Sequence, residues 1–332
     1  MKGMILAAGF GTRFRPITYT LPKPMVPLCN KPLIGWAVES YLDAGVHEIV
    51  VNLHHLPEII ERHLRARYDA QFHFSREEEI LGTGGGIRRV RGLLEGDDEF
   101  FLINGDTVQF PQYDALHDAR HAHTAVAALT LRHPPEGDRF TAVWYEKGLV
   151  TGFGTGTGEP LMFSGSHCLS SRIFQYLPEQ EFSKIVEHAY QPLLENHTEW
   201  IAGIVDDGLW FDIGTPKRYL AAMTTLIGGA DLWSAGRTGR PPSIVDASAR
   251  VNGTITRSTV GARSDVRGTL RDTAVWEDCA IGERAVLERC IVAHGVEIAG
   301  AVELRDMLIC RDDPAIPPEF ERREGLVIVP CV

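Results

Sequence analysis

A glycine-rich turn with cations close behind it is the first place in this chain that could do chemistry. Gly9-Phe10-Gly11-Thr12-Arg13 follows the apolar run Met4-Ile5-Leu6-Ala7, and Arg15 and Lys23 come soon after. Glycines in such a turn let backbone N–H groups approach an anionic oxygen with no Cβ in the way. Lys23 stands among prolines in Leu21-Pro22-Lys23-Pro24-Met25-Val26-Pro27, a positioned point charge suited to phosphate. Two familiar phosphate loops are excluded. A Walker loop ends in Gly-Lys-Ser/Thr where this one has Gly11-Thr12-Arg13, and a dinucleotide fingerprint needs a third glycine where Phe14 stands. Two carboxylates close apolar runs: Asp106 after Phe100-Phe101-Leu102-Ile103-Asn104-Gly105, and Asp212 after Trp210-Phe211. Magnesium takes one or two such carboxylates together with substrate phosphates.

These residues need a scaffold that brings strand ends together. From Met1 to about Ile227, short apolar runs alternate with amphipathic stretches. Ile49-Val50-Val51 and Phe100 to Ile103 read as buried strands. Leu33 to Ala44 has apolar residues at helical spacing with Gly45 as its stop, and Pro57 to Tyr68 reads as the next helix. The alternation predicts a Rossmann-like α/β domain whose parallel or mixed sheet is covered on both faces. Ligands of such sheets lie beyond the carboxyl ends of the strands, where the informative residues fall.

The pattern changes after Leu232. Arg237 to Pro242 reads as a linker, and then Val245 to Val251, Val260 to Val266, Ile281 to Leu287 and Val292 to Ile298 repeat one scheme. An aliphatic residue every six positions is the mark of a hexapeptide β-helix, whose aliphatic ladder fills its interior. The expected division is a catalytic domain over 1–232 and a short left-handed β-helix with a C-terminal tail over 241–332. Leu326-Val327-Ile328-Val329 is expected to cover one end as a final strand.

Composition narrows the partners. The 332 residues carry 33 basic and 44 acidic side chains, a net charge of -11, the wrong sign for a general nucleic-acid binder. The first residues form no signal sequence or membrane span. The six cysteines show no metal or C-x-x-C spacing. A cytoplasmic protein with buried free thiols is expected. His117, His121 and His123 lack cysteine or carboxylate partners at zinc spacing in the sequence, so surface or packing roles are expected.

Taken together, Leu6-Ala7-Ala8-Gly9-Phe10-Gly11-Thr12-Arg13, Arg15-Pro16, Pro22-Lys23-Pro24, Leu81-Gly82-Thr83-Gly84-Gly85-Gly86, Asn104-Gly105-Asp106, Phe163-Ser164-Gly165 and Trp210-Phe211-Asp212-Ile213-Gly214-Thr215 resemble sugar-1-phosphate nucleotidyltransferases. The resemblance runs over residues 1–227. It is nearest to mannose-1-phosphate guanylyltransferase-like and N-acetylmuramate-1-phosphate uridylyltransferase-like enzymes, some of whose relatives carry a C-terminal β-helix. It implies an enzyme that joins a nucleoside triphosphate to a sugar 1-phosphate with Mg²⁺. Arg13, Lys23 and Asp106 would then be catalytic. Leu6, Ala8, Gly9, Gly11 and Thr12 would hold the nucleotide, with Gly82 and Thr83 beside the base and ribose. Asn104 and Gly165 would lie at the sugar, and Asp106 and Asp212 would hold the metal. Gly82 leans toward guanylyl relatives and Gly84-Gly85-Gly86-Ile87 toward uridylyl ones.

The chain departs from the pattern in one place. Many relatives carry Glu-Lys-Pro before the Phe-Ser-Gly strand, but Gly152 to Pro160 here contains no lysine, which leaves the sugar phosphate without an assigned cation. Two other functions compete with the transferase. One is a non-catalytic paralogue that binds nucleotide sugars; the other is a hexapeptide acyltransferase with His294 as its base. A homo-oligomer through the β-helix is expected, and truncation before Pro241 is expected to leave an active catalytic domain.

Overall fold

The apolar runs become strands of one nine-stranded mixed sheet in a computed structural model that describes residues 1–135, 137, 140–229 and 243–331. In chain order the strands are β1 (Lys2–Leu6), β2 (Glu48–Leu53), β3 (Gln71–Arg76), β4 (Glu99–Asn104), β5 (Ala127–Arg132), β6 (Val143–Glu146), β7 (Leu149–Phe153), β8 (Glu159–Ser170) and β9 (Ile201–Val205). Their order across the sheet is β3-β2-β1-β4-β8-β5-β9-β7-β6. Parallel β1 lies between β2 and β4, with Leu6 opposite Asn52 on one side and Asn104 on the other. This is the topological switch point that makes a ligand crevice in open α/β sheets. Helices α1 (Leu33–Asp43), α2 (Pro57–Arg67), α3 (Gly82–Arg89), α4 (Tyr113–Ala122) and α5 (Pro216–Gly228) fill the connections. Met4, Val50, Leu102, Leu129 and Ile201 meet in one buried core.

The chain divides into two compact units, and both are discontinuous. The first holds Met1–Gly9 and Ile34–Trp210; the second holds Phe10–Leu33 and Phe211–Val332. The expected linker at 237–242 lies outside the described residues. In the second unit three parallel ladders form the β-helix. One runs through Ile244, Thr259, Ala274, Ile291 and Leu308, one through Arg250, Asp265, Ala280 and Glu297, and the third starts at Thr254. The coils are shorter than three hexads: equivalent residues lie 15 apart in the first coils and 17 apart later. Val260, Val266, Leu270, Val275, Ile281, Leu287, Val292 and Ile298 stack inside. Leu326–Pro330 pairs antiparallel with Met307–Arg311, the expected final strand.

All six cysteines are free and five are buried; burial pushes the Cys29 and Cys168 thiols up to about 12. No helix among the described residues is long and apolar enough to cross a membrane.

One buried ion pair fixes the edge where β4 meets α4. Glu99 accepts from Arg120 Nε at 2.6 Å and is bonded to His117 Nδ1 at 2.5 Å, with His121 Nε2 3.2 Å away. The carboxylate that the histidines lack in sequence is therefore supplied from β4, but Arg120 takes its charge, and a cation competing for it would have to displace a guanidinium. Burial alone would raise the Glu99 pKa; Arg120 and His117 together hold it below the usual carboxylate value. Its contribution to stability is thus present above the ordinary carboxylate pKa and lost as pH falls through the depressed one. Glu99→Gln leaves the buried Arg120 uncompensated and should cost about 3 kcal/mol in urea unfolding at pH 7. That difference should shrink below about pH 4; a difference independent of pH would assign the loss to packing.

Candidate active site

The phosphate-type residues of the second unit are built around one left-handed glycine. Gly11 has φ +62°, and a Cβ there would stand 2.7 Å from Lys23 Cβ. The turn is closed by Phe14 N–H donating to Gly11 O at 2.9 Å and by Thr18 Oγ1 donating to the same oxygen at 2.9 Å. Lys23 lies on the short 3₁₀ turn Lys23–Met25, entered through extended Pro22, and its stem lies along Gly11. Lys23 is only 5% exposed, so the positioned cation is a buried one. Thr12 and Arg13 are exposed on the turn Thr12–Phe14.

Asp212 belongs to the same unit. A Cβ on Gly214 would stand 2.7 Å from Arg13 Nη1 and 3.0 Å from Asp212 Oδ2, so the guanidinium and the carboxylate lie over one glycine. Arg218, on α5, donates to Asp212 Oδ2 at 2.5 Å. Helix α5 itself starts with Thr215 Oγ1 accepting from Arg218 N–H and Pro216 at its first position, an ordinary N-cap. One oxygen of Asp212 is therefore spoken for. The donor chemistry still suits a magnesium ion, which asks for one or two carboxylate oxygens and takes the rest from phosphates and water.

In the first unit Leu6, Ala8, Gly9, Asn104 and Asp106 lie at the carboxyl ends of β1 and β4. Gly105 N–H donates to Leu6 O at 2.9 Å, which sets half-buried Asp106 beside the end of β1. No described atom lies within 4 Å of where a Cβ on Gly9 would stand. Gly165, at φ +97°, sits where the β8–β5 register shifts between Phe163 and His167, and a Cβ there would meet Asn104 Nδ2 at 2.5 Å. The two expected sugar residues thus face each other.

Gly82 and Thr83 open α3, but their neighbours have a different explanation from the expected one. A Cβ at Gly84 would meet Ser183 Oγ at 2.7 Å and one at Gly85 would meet Glu181 O at 2.2 Å. Thr83 Oγ1 accepts from Ile185 N–H at 2.9 Å. The close approach of Glu181 and Ser183 leaves no room for a side chain at Gly84 and Gly85, and Asn52 and Glu77 crowd Gly86.

The nucleotidyl transferase pattern matches residues 2–228 of this chain. The chain belongs to the nucleotidyl transferase family. The mannose-1-phosphate guanyltransferase of Hypocrea jecorina is 30% identical over 67% of this chain and 63% of its own length. The mannose-1-phosphate guanylyltransferase catalytic subunit beta of Danio rerio is 31% identical over 67% of this chain and 64% of its own. The chain thus spans under two thirds of the length of these relatives. HddC from Yersinia pseudotuberculosis, solved in complex with GMP-PN, shares the fold with a TM-score of 0.56 and 24% identity over 67% of this chain and 97% of its own.

Several residues around the nucleotidyl transferase motifs escape the sequence reading. Asn52, 3% exposed, accepts from Ala7 N–H and donates to Glu77 Oε1, both at 2.8 Å, while Glu77 Oε2 accepts from Leu81 N–H at 2.9 Å. This buried pair ties the end of β1 to the start of α3. Asn52, which the sequence leaves at a strand end, is thus a scaffold residue. Among the described residues, Arg132 Nε, Gln109 Nε2 and Thr130 Oγ1 are buried without a hydrogen-bond partner. All three line a recess with Ser164, Ser166 and Trp210. Only long-range pairing could have revealed them. His167 is bonded to Tyr190 Oη at 2.7 Å, and burial lowers its pKa to about 3, so it stays neutral.

Gly11→Ala should lose about 1–2 kcal/mol from the left-handed backbone alone and push Lys23 off its seat. The variant should fold with a lowered Tm and bind inorganic pyrophosphate at least tenfold more weakly by calorimetry. Unchanged pyrophosphate affinity would remove this turn from the phosphate site.

Proposed function

We propose that the protein transfers a nucleotidyl group from a nucleoside triphosphate to a sugar 1-phosphate and releases pyrophosphate. The observation that carries this reading is the seating of buried Lys23 against left-handed Gly11, with Arg13 and Asp212 over Gly214 in the same unit. An oxygen of the sugar phosphate attacks the α-phosphorus in line. The bond from that phosphorus to the bridging oxygen breaks, and pyrophosphate leaves with the electron pair. No protein nucleophile is needed. The work is positioning and charge neutralisation, which Lys23, Arg13 and the N–H groups of the glycine turn supply for the triphosphate. Asp106 and Asp212 are the carboxylates assigned to Mg²⁺, which when bound neutralises developing charge on the phosphates.

Arg132 is the assigned partner of the sugar phosphate, the cation left open by the absent Glu-Lys-Pro element. Burial disfavours its charge more than Asp207 and Asp206 restore it, and its Nε has no partner among the described residues. An incoming phosphate would relieve both conditions. Ser164 O accepts from Trp210 Nε1 at 2.9 Å beside Arg132, and the next residue is Gly165.

The names of the relatives make GTP with mannose 1-phosphate the first pair to assay; the motif resemblance makes UTP with N-acetylmuramate 1-phosphate the second. Pyrophosphate release with one pair and Mg²⁺ tests the reaction. A Tm rise with nucleotide but no pyrophosphate from any pair would mark a non-catalytic binder. Lys23→Ala and Arg13→Ala should each lower turnover by about two orders of magnitude, on the scale of a lost preorganised contact; near-normal rates would remove that residue from the site. Arg132→Ala should raise KM for the sugar phosphate about tenfold or more and leave KM for the triphosphate alone. Equal effects on both substrates would overturn its assignment.

A further inference from the structure

The phosphate-type segment Phe10–Leu33 shares its compact unit with the β-helix and α5, not with the sheet. Its attachment there is specific. Trp276, which follows Val275 in the coil next to Val260, is 2% exposed, and its indole Nε1 donates to Tyr219 Oη at 3.2 Å. Tyr219, on α5 and fully buried, donates in turn to Pro27 O at 2.6 Å. Its ring also meets Phe14 edge to face at 5.9 Å. Pro27–Leu28 and Lys31–Pro32 form a hairpin closed by left-handed Cys29 and Asn30, and Asn30 Nδ2 donates to Val260 O at 2.9 Å. The segment is therefore held at its hairpin tip and again four residues beyond Lys23.

Trp276 is an exception among its equivalents. Gly261, Trp276 and Ala293 occupy the same place in successive coils, each donating its N–H to the next coil. A Cβ on Gly261 would stand 2.6 Å from the Trp276 backbone. One bulky side chain between two small ones is placed to reach out of the helix. Beside it, a cavity of about 340 Å³ lies between Ile17, Thr20 and Leu21 on one wall and Trp276, Ala293 and His294 on the other. Packing on that side is open, so the hydrogen-bonded column bears the register of the segment.

We propose that the β-helix is a positioning element of the nucleotide site. It sets the seat of Gly11 and Lys23 through the column Trp276–Tyr219–Pro27 and the hairpin tip at Asn30. The proposal rests on the reading of this segment as the triphosphate binder. It reverses the expectation that a catalytic domain cut before Pro241 would keep its activity.

The test uses the full chain. Trp276→Phe keeps an aromatic ring and removes the donor; Tyr219→Phe removes both bonds. Trp276→Phe should raise KM for the triphosphate about fivefold and Tyr219→Phe about tenfold, with KM for the sugar phosphate unchanged. Because the bonds act in series, the double variant should be no worse than Tyr219→Phe alone. In both variants the amides of Phe10–Leu33 should exchange hydrogen faster while those of the β-helix interior keep their rates. Asn30→Ala, at the half-buried hairpin tip, should show the same split if Tyr219→Phe does not fold. Folded variants with wild-type triphosphate KM and wild-type exchange in Phe10–Leu33 would overturn the proposal. A lowered Tm with both KM values unchanged would overturn it too, as a structural role only. If the wild-type chain transfers no nucleotide at all, the proposed reaction fails, and exchange in Phe10–Leu33 still decides whether the column positions the segment.

Discussion

Two polyanions repel each other, and a site that joins them must fix its cations before either arrives. A lysine with four rotatable bonds is a poor instrument for this unless its stem is immobilised. Here Lys23 lies along a glycine that has no Cβ, on a turn preset by Pro22. The left-handed backbone of Gly11, the bond from Thr18 and the burial of Lys23 are one arrangement seen from three sides. Arg13 and Asp212 are fixed the same way, over Gly214, with Arg218 holding the carboxylate. Small residues take the place of contacts that larger ones would crowd out, and charge is aimed by the backbone.

That economy explains which parts of the molecule were legible in the sequence. The strands and the first helices came from local periodicity and the motif order from the family resemblance, and the structure places Leu6, Asn104 and Asp106 at or just beyond strand ends as the apolar runs implied. Gly165 and Asn104 were named only through the family resemblance, and their approach to each other had no local signature. The packing of the glycine run at 82–86 had no local signal, since only Glu181, Ser183, Asn52 and Glu77 show what a side chain there would meet. Asn52 with Glu77, Arg218 with Asp212 and Trp276 with Tyr219 have no local signature. Each is a polar residue whose meaning lies in a partner six to fifty-seven positions away.

The β-helix shows the same limit in another form. Its aliphatic ladder was visible as repeated hexapeptides, but the coil length was not. Coils of 15 and 17 residues drop positions at corners, so strict hexads describe only part of each turn. Repeat architectures tolerate this because each coil answers only to its neighbours. What must be kept is the stacking of Val260 on Val275 and of Val275 on Val292, and the sequence keeps it.

Domain boundaries drawn along the chain assume that function follows continuity. In this protein Phe10–Leu33 leaves the first unit just after β1 and α1 returns to it. Segments with few bonds of their own make adaptable ligand loops, yet a catalytic loop needs a single geometry. Fastening the segment to a rigid repeat stack meets both demands, because the strands of a β-helix offer donors and acceptors at fixed spacing. Asn30 uses a backbone oxygen of that stack and Tyr219 reads a side chain of it. Such a platform can hold a short proline-rich segment in a single geometry.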